Sequence, residues 1–160
     1  MDVLILDCGA IKGESTLADY KDMIEVLSYS HGVAQQITGD QSNQKRTSGK
    51  PNHQDFSITK FLDLATASLI DYCNQAKPIA SVVLTVDQNE NGTVNPFMKY
   101  TLTNALVSSV SVGGGGGGKP QETVTFNYTA IKWEYKLQAA AVSDSGNNSA
   151  SWNLSTNAAS

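Results

Sequence analysis

The residues predict a mainly β protein, a small antiparallel barrel or sandwich of two sheets with one flanking α-helix. Three observations carry that prediction. Apolar and polar residues alternate over most of the chain, the pattern of strands with one buried face. A single stretch, between Asp63 and Ala76, has apolar residues at helical spacing instead. Third, Val124, Phe126 and Tyr128 keep one alternating phase, whereas Ile131, Trp133, Tyr135 and Leu137 keep the opposite one. A flip of phase without a loop residue is what a β-bulge at Thr129-Ala130 produces, bending a strand from one sheet into another.

Taken in order, Val3-Leu4-Ile5-Leu6 is a short continuous apolar run and predicts a strand buried on both faces. Ile11 to Thr16 is turn-rich and predicts a connector. From Met23 to Ile37 alternation returns, with Leu27, Tyr29, His31, Val33 and Ile37 on one face and Val26, Ser28, Ser30 and Gly32 on the other. The bulky face is expected in the core, because burial must offset the entropy lost on ordering the strand. Thr38 to Asn52 is polar and aperiodic, longer than an ordinary connection, and such loops are usually functional or disordered. Gln54 to Thr59 alternates again through Phe56 and Ile58.

In the helix, Ala65, Leu69, Tyr72 and Cys73 share a face, Asp63 or Thr66 can cap the start, and Lys77-Pro78 ends it. Ser81 to Val86 is a strand, and Asn91-Gly92 supplies a hairpin turn whose central residues need positive φ. Met98, Tyr100, Leu102, Leu106, Val110 and Val112 hold one register, which predicts a single long strand. Residues 1–138 therefore read as one domain. Residues 139–160 are Ala, Ser and Asn around Trp152 and Leu154, and read as a polar tail, largely disordered alone.

Six consecutive glycines, Gly113 to Gly118, precede Lys119-Pro120 and satisfy the first half of a phosphate-binding loop. That loop needs Ser or Thr after the Lys to hold Mg²⁺, and it must open a helix whose amides face the phosphates. Here Pro120 stands in the hydroxyl position, and Glu122 to Tyr128 alternates as a strand. The run reads as a flexible strand connector.

The chain has 160 residues, a net charge of −4 and only 16 % charged residues. No basic face is implied, which argues against nucleic acid as a partner. No apolar run approaches a membrane span, and no secretory leader is visible, so synthesis and folding are expected in the cytosol. Cys8 and Cys73 match no metal or redox spacing and read as reduced thiols, and His31 and His53 have no ligand partners at metal spacing. Ser30 and His31 are adjacent in a strand, so their side chains point to opposite faces and cannot act as nucleophile and base. The expectation is no enzyme, no cofactor and no metal. The residues alone leave a monomeric small-molecule-binding β-barrel as an alternative, separable by mass in solution.

These elements resemble the haemolysin-coregulated protein (Hcp) family, the tube protein of bacterial type VI secretion. The resemblance rests on Ile11-Lys12-Gly13-Glu14-Ser15, on Ile24-Glu25-Val26-Leu27-Ser28 with Ser30 and Gly32 following, and on Gln54-Asp55-Phe56-Ser57-Ile58-Thr59-Lys60. Its most specific part is Val107-Ser108-Ser109-Val110-Ser111-Val112-Gly113-Gly114 followed by Glu122-Thr123-Val124. The uninterrupted hexaglycine and the Asn/Ser-rich C-terminus depart from the family's pattern. The resemblance implies an antiparallel β-barrel of two sheets with one flanking helix, assembled into homohexameric rings. Rings of that kind stack into a tube and carry or chaperone effectors in the lumen, with a tip protein and a contractile sheath as further partners. It also implies assembly in the bacterial cytoplasm and secretion without a cleaved signal peptide, with no membrane insertion. Ser28 and Ser30 are then expected to line the lumen. Gln41, Lys45, Arg46 and Lys50 are expected in a loop where rings stack.

Overall fold

Thirteen strands and one helix account for the computed structural model, which describes residues 2–38, 47–90, 92–136 and 148–159. In chain order they are β1 (Asp2–Asp7), β2 (Ile24–Val26), β3 (Ser28–Ser30), β4 (Val33–Ala34), β5 (Ile37–Thr38), β6 (Thr47–Ser48), β7 (Asn52–His53) and β8 (Phe56–Phe61). The helix α1 (Thr66–Gln75) follows, then β9 (Ile79–Glu90), β10 (Thr93–Gly113), β11 (Gln121–Asn127), β12 (Ala130–Tyr135) and β13 (Asn148–Asn153). Every pairing is antiparallel. One sheet runs β2-β1-β9-β10-β12-β13 and the other β10-β11-β8-β3.

Besides the connection through α1 from β8 to β9, the chain passes between the two sheets at three places. β10 pairs with β9 and β12 in its first half and with β11 in its second. The passage from β11 to β12 is a two-residue break at Tyr128-Thr129, one residue before the bulge expected at Thr129-Ala130. β2 pairs with β1, whereas β3 pairs with β8, so the third passage is at Leu27, whose N–H donates to the Thr59 carbonyl at 2.8 Å. Between the sheets lies the core, with Phe56, Ile58, Leu84, Leu102, Val124, Phe126 and Ile131 all buried. Helix α1 lies against β10 and contributes Leu69.

Several expectations change. The run from Met23 to Ile37 is broken into β2, β3, β4 and the start of β5 rather than one strand, and its bulky face is not the core face throughout. Val26 is buried while Leu27 is 46 % exposed, because the chain changes sheets at Leu27. Tyr29 and His31 are half-buried, but Val33 and Ile37 face solvent at 53 % and 60 %. Beyond Gly32 the chain leaves the barrel and has no opposing sheet. There β4 pairs with β7 and β5 with β6 in a two-stranded arm, so the segment from Thr38 to Asn52 is partly strand; residues 39–46 lie outside the described residues.

The long strand β10 does not keep one register either. Asn104 has φ +49°, a left-handed conformation that Asn tolerates better than most residues, and the inward face resumes at Ala105 and Val107 instead of Leu106. A second irregularity separates Val107 from Ser109. Thr129, at the neighbouring passage, donates its N–H to the Thr103 carbonyl at 3.1 Å, so the two long strands bend at one level.

The N-cap of α1 is Ala65, which makes no side-chain cap, and the two expected capping residues bond around the turn before it. The Asp63 carboxylate accepts from the Ala65 N–H at 2.9 Å, and the Asp63 N–H donates to the Thr66 hydroxyl at 3.1 Å. At the other end Ala76 takes φ +48°, and the Lys77 N–H donates to the Tyr72 carbonyl at 3.1 Å.

The polar tail changes as well. β13 pairs with β12 over six residues, Trp152 and Leu154 are half-buried, and the Leu154 N–H donates to the Thr129 carbonyl at 2.8 Å. Polar composition suggested disorder, but an edge such as β12 is completed by backbone bonds, which need no apolar side chains. Two glycines have a specific reason. Gly92, at φ +81°, turns the β9–β10 hairpin, and a Cβ on Gly13 would stand 2.6 Å from the Met23 carbonyl where the connector crosses β2.

Candidate functional site

Each strand of the second sheet alternates a bulky inward residue with a small hydroxylic outward one. In β8, Phe56, Ile58 and Lys60 point inward while Ser57 and Thr59 point out. In β11, Glu122, Val124 and Phe126 point inward, leaving Thr123 and Thr125 outside. The strand register then aligns the outward residues into two rows. One is Ser111, Thr123, Thr59 and Ser28, and the other is Ser109, Thr125, Ser57 and Ser30. Eight hydroxyls tile an uncharged face that is ~14 Å across at ordinary strand spacing.

Ser28 and Ser30 are therefore both on this face, at its β3 edge, and both are exposed. The other six hydroxyls escaped sequence reading; the signal for each was the alternation within its own strand, but the register that assembles them is not visible there. The β10 side of the face is hydrogen-bonded within itself. The Ser109 and Thr125 hydroxyls lie 2.6 Å apart, and the Ser108 hydroxyl lies 2.7 Å from that of Thr125. Ser108 donates to one Asp55 carboxylate oxygen at 2.8 Å and the Asn127 side-chain amide donates to the other at 3.1 Å. Asp55 so occupies one corner of the face.

The two ends of the face differ. Past Ser30 the chain enters the arm, where Lys50 is exposed; Gln41, Lys45 and Arg46 lie outside the described residues. Past Thr59 come Phe61, 38 % exposed, and Lys119, whose ammonium stands 5.8 Å from the Phe61 ring centre. Glu14, Glu25, Leu27, Phe61 and Lys119 line a groove of about 190 Å³ at this end. The hexaglycine belongs here too, with a strand on each side: Gly113 closes β10 opposite Gln121 of β11.

Behind the face lies a buried ionic cluster. Lys60, fully buried, pairs with the equally buried Glu122 directly across the strands and with Asp63 at 2.7 Å. It also donates to the Phe61 carbonyl at 3.2 Å, and the Thr66 hydroxyl donates to Glu122 at 3.2 Å. The cluster ties the sheet to the start of α1.

Nothing among the described residues assembles a catalytic group. Among the described residues, no set of three or more His, Cys, Asp or Glu is placed to hold a metal. Cys8 is buried, which pushes its thiol well above the ordinary range, away from nucleophilic chemistry. No helix is long and apolar enough to cross a membrane among the described residues. Where a ligand-binding barrel keeps a cavity, the centre here is occupied by Phe56, Phe126, Leu102 and their neighbours. What the arrangement presents is a surface.

Comparison with known proteins gives the same direction. Residues 5–135 match the family described as "Type VI secretion system effector, Hcp". The chain is 32 % identical to Protein hcp1 of Pseudomonas aeruginosa over 156 residues, 96 % of each chain. Among solved structures it resembles one described as a type six secretion system protein, with TM-score 0.92, 28 % identity and full coverage of both chains. It also resembles Hcp1 from Salmonella typhimurium, with TM-score 0.82, 25 % identity and 99 % of each chain covered.

Proposed function

The chain belongs to the Hcp family of type VI secretion systems, and on that premise we propose that it is the subunit of a homohexameric ring that stacks into the secretion tube. Within the ring, one surface of each barrel meets a different surface of its neighbour and the rotation closes. The observation that carries this reading is the eight-hydroxyl face, which we place on the lumen. A wall of small uncharged side chains suits a passage that holds varied effectors loosely and releases them, since it offers neither a deep pocket nor a fixed charge pattern. Ser28 and Ser30 then touch cargo. The arm is placed at the rim, where Gln41, Lys45, Arg46 and Lys50 meet the next ring, and the tip protein and contractile sheath complete the set of partners. The ring assembles in the bacterial cytoplasm and is expelled by the secretion machine.

The test is the mass of the purified chain. Native mass spectrometry and size exclusion at micromolar concentration are expected to give six copies of the 17.0 kDa subunit. A monomer or a two-fold dimer would return the chain to the small-molecule-barrel reading.

A further inference from the structure

His31 and His53 are distant in sequence, but the fold brings their rings together where the arm leaves the barrel. His31 follows β3 and His53 ends β7, so one histidine stands on each leg of the arm. Their ring centres are 6.3 Å apart with planes 25° from parallel. Both rings rest on Trp133 of β12, each at 6.1 Å, and His31 also stacks on Phe56 of β8 at 5.6 Å. Tyr128 stands edge-on to both rings. Its hydroxyl donates to the Gln54 carbonyl at 3.0 Å and lies 3.3 Å from Nδ1 of His31. Nε2 of His31 and Nδ1 of His53 are buried without a hydrogen-bond partner.

We propose that the two stacked histidines form a proton-operated latch that holds the arm on the barrel when both rings are neutral and releases it when both are charged. The neutral pair is an ordinary aromatic contact: flat rings on Trp133 and Phe56, with no charge to hydrate. One imidazolium could be tolerated, because the aromatic faces around it attract a cation. A second is opposed, since the two would face each other at 6.3 Å in a half-buried site.

The surrounding groups give the second charge no relief. On the Tyr128 side, the nearest carboxylate is Asp55, which is held by Ser108 and Asn127 and acts on the Tyr128 phenol. That phenol is pushed above its ordinary range by burial and stays neutral. Beneath the rings, Tyr29 of β3 and Tyr100 of β10 bond to each other at 3.3 Å. On β12, Lys132 and Glu134 flank Trp133 and pair with each other at 2.9 Å. Burial pushes both histidines below the ordinary 6.5, and His53 pushes His31 further, against a small opposing effect of the Gln54 backbone.

The sign follows from linkage. The latched form excludes protons that the released form binds at its ordinary value, so the latch is fully closed above pH 6.5 and weakens as pH falls below it. Only the arm root depends on this pair, because β9 and β10 are held by the core.

Amide hydrogen exchange on the full-length assembly tests the latch, with rates corrected for the intrinsic effect of pH. Between pH 7.5 and 5.0, residues 33–38 and 47–53 are expected to lose tenfold or more in protection while β9 and β10 keep theirs. The double variant His31→Phe/His53→Phe is expected to hold the arm at both pH values. Equal protection of the arm at both pH values in the wild type overturns the proposal, and so does equal loss in the double variant. If the double variant does not fold, proton NMR of the wild-type imidazoles decides. Two separated titrations, both below 6.5, support the latch; either ring titrating at or above 6.5 sinks it.

Discussion

Lys60 stands at the last inward position of β8, where the alternation of Phe56 and Ile58 predicts an apolar side chain. Its ammonium is kept there by Glu122 and Asp63, by the Phe61 carbonyl and by the absence of any route to water. Removing one member of such a cluster is costly, because the charge left behind is buried without a partner. Lys60→Met should therefore destabilise the fold by roughly 3–5 kcal/mol, read as a lowered midpoint in urea. Lys60→Met combined with Glu122→Leu should recover most of that loss, because it removes the orphaned carboxylate. A double variant no better than the single one would show that the cluster does not act as a unit. Periodicity places both residues inward, so the position of the cluster was legible in the sequence. The pairing was not, because it depends on Lys60 and Glu122 standing opposite each other in register, and spacing along the chain carries no such information.

At the scale of elements, the passages between sheets divide by what marks them. The flip between Tyr128 and Ile131 is written into the sequence, because bulky residues stand on both sides of it. Those at Leu27 and Asn104 are hidden, because alternation runs on to the eye while the buried face changes. β13 is hidden for a different reason: its contribution is mostly backbone. It covers the edge of β12 at Ile131 and Trp133, with Trp152 opposite Ile131. Deleting residues 148–160 should leave β12 as an open edge and uncover part of the Trp152 and Leu154 contact. The expected cost is on the order of 2–4 kcal/mol from half-burial of those two side chains and loss of the ladder. An unpaired edge also templates association, so the truncated chain should show a lower melting temperature and species larger than those of the full-length chain by size exclusion. An unchanged melting temperature would mean that residues 1–138 are self-sufficient and that β13 is an accessory.

At the scale of the whole molecule, the hydroxyl face and the proposed ring test each other. The chain carries a net charge of −4, yet the eight-hydroxyl rows contribute none of it; the flanking charges are Asp55 at one corner and Lys119, Glu14 and Glu25 past the other end. Uniform small hydroxyls on four strands are a costly coincidence for a surface that only faces solvent, where Lys and Glu are commoner. If that face lines a sixfold lumen, one substitution is repeated six times on one circle. Ser30→Glu then adds six negative charges at one level, and Ser30→Lys six positive ones. Because Ser30 is exposed and its partner across the strand is Ser57, neither change should disturb the core, and ring mass and melting temperature should stay near the wild type. Cargo should respond by sign: the Glu variant should lose acidic effectors and retain basic ones in co-purification, and the Lys variant should do the reverse. Field lines focused in a narrow charged passage make such discrimination stronger than on an open surface, and it should fade as salt is raised. Recovery of all cargo by both variants would remove this face from the lumen. Loss of the ring would place Ser30 at a contact between subunits, leaving the family assignment intact and moving the cargo wall to another sheet.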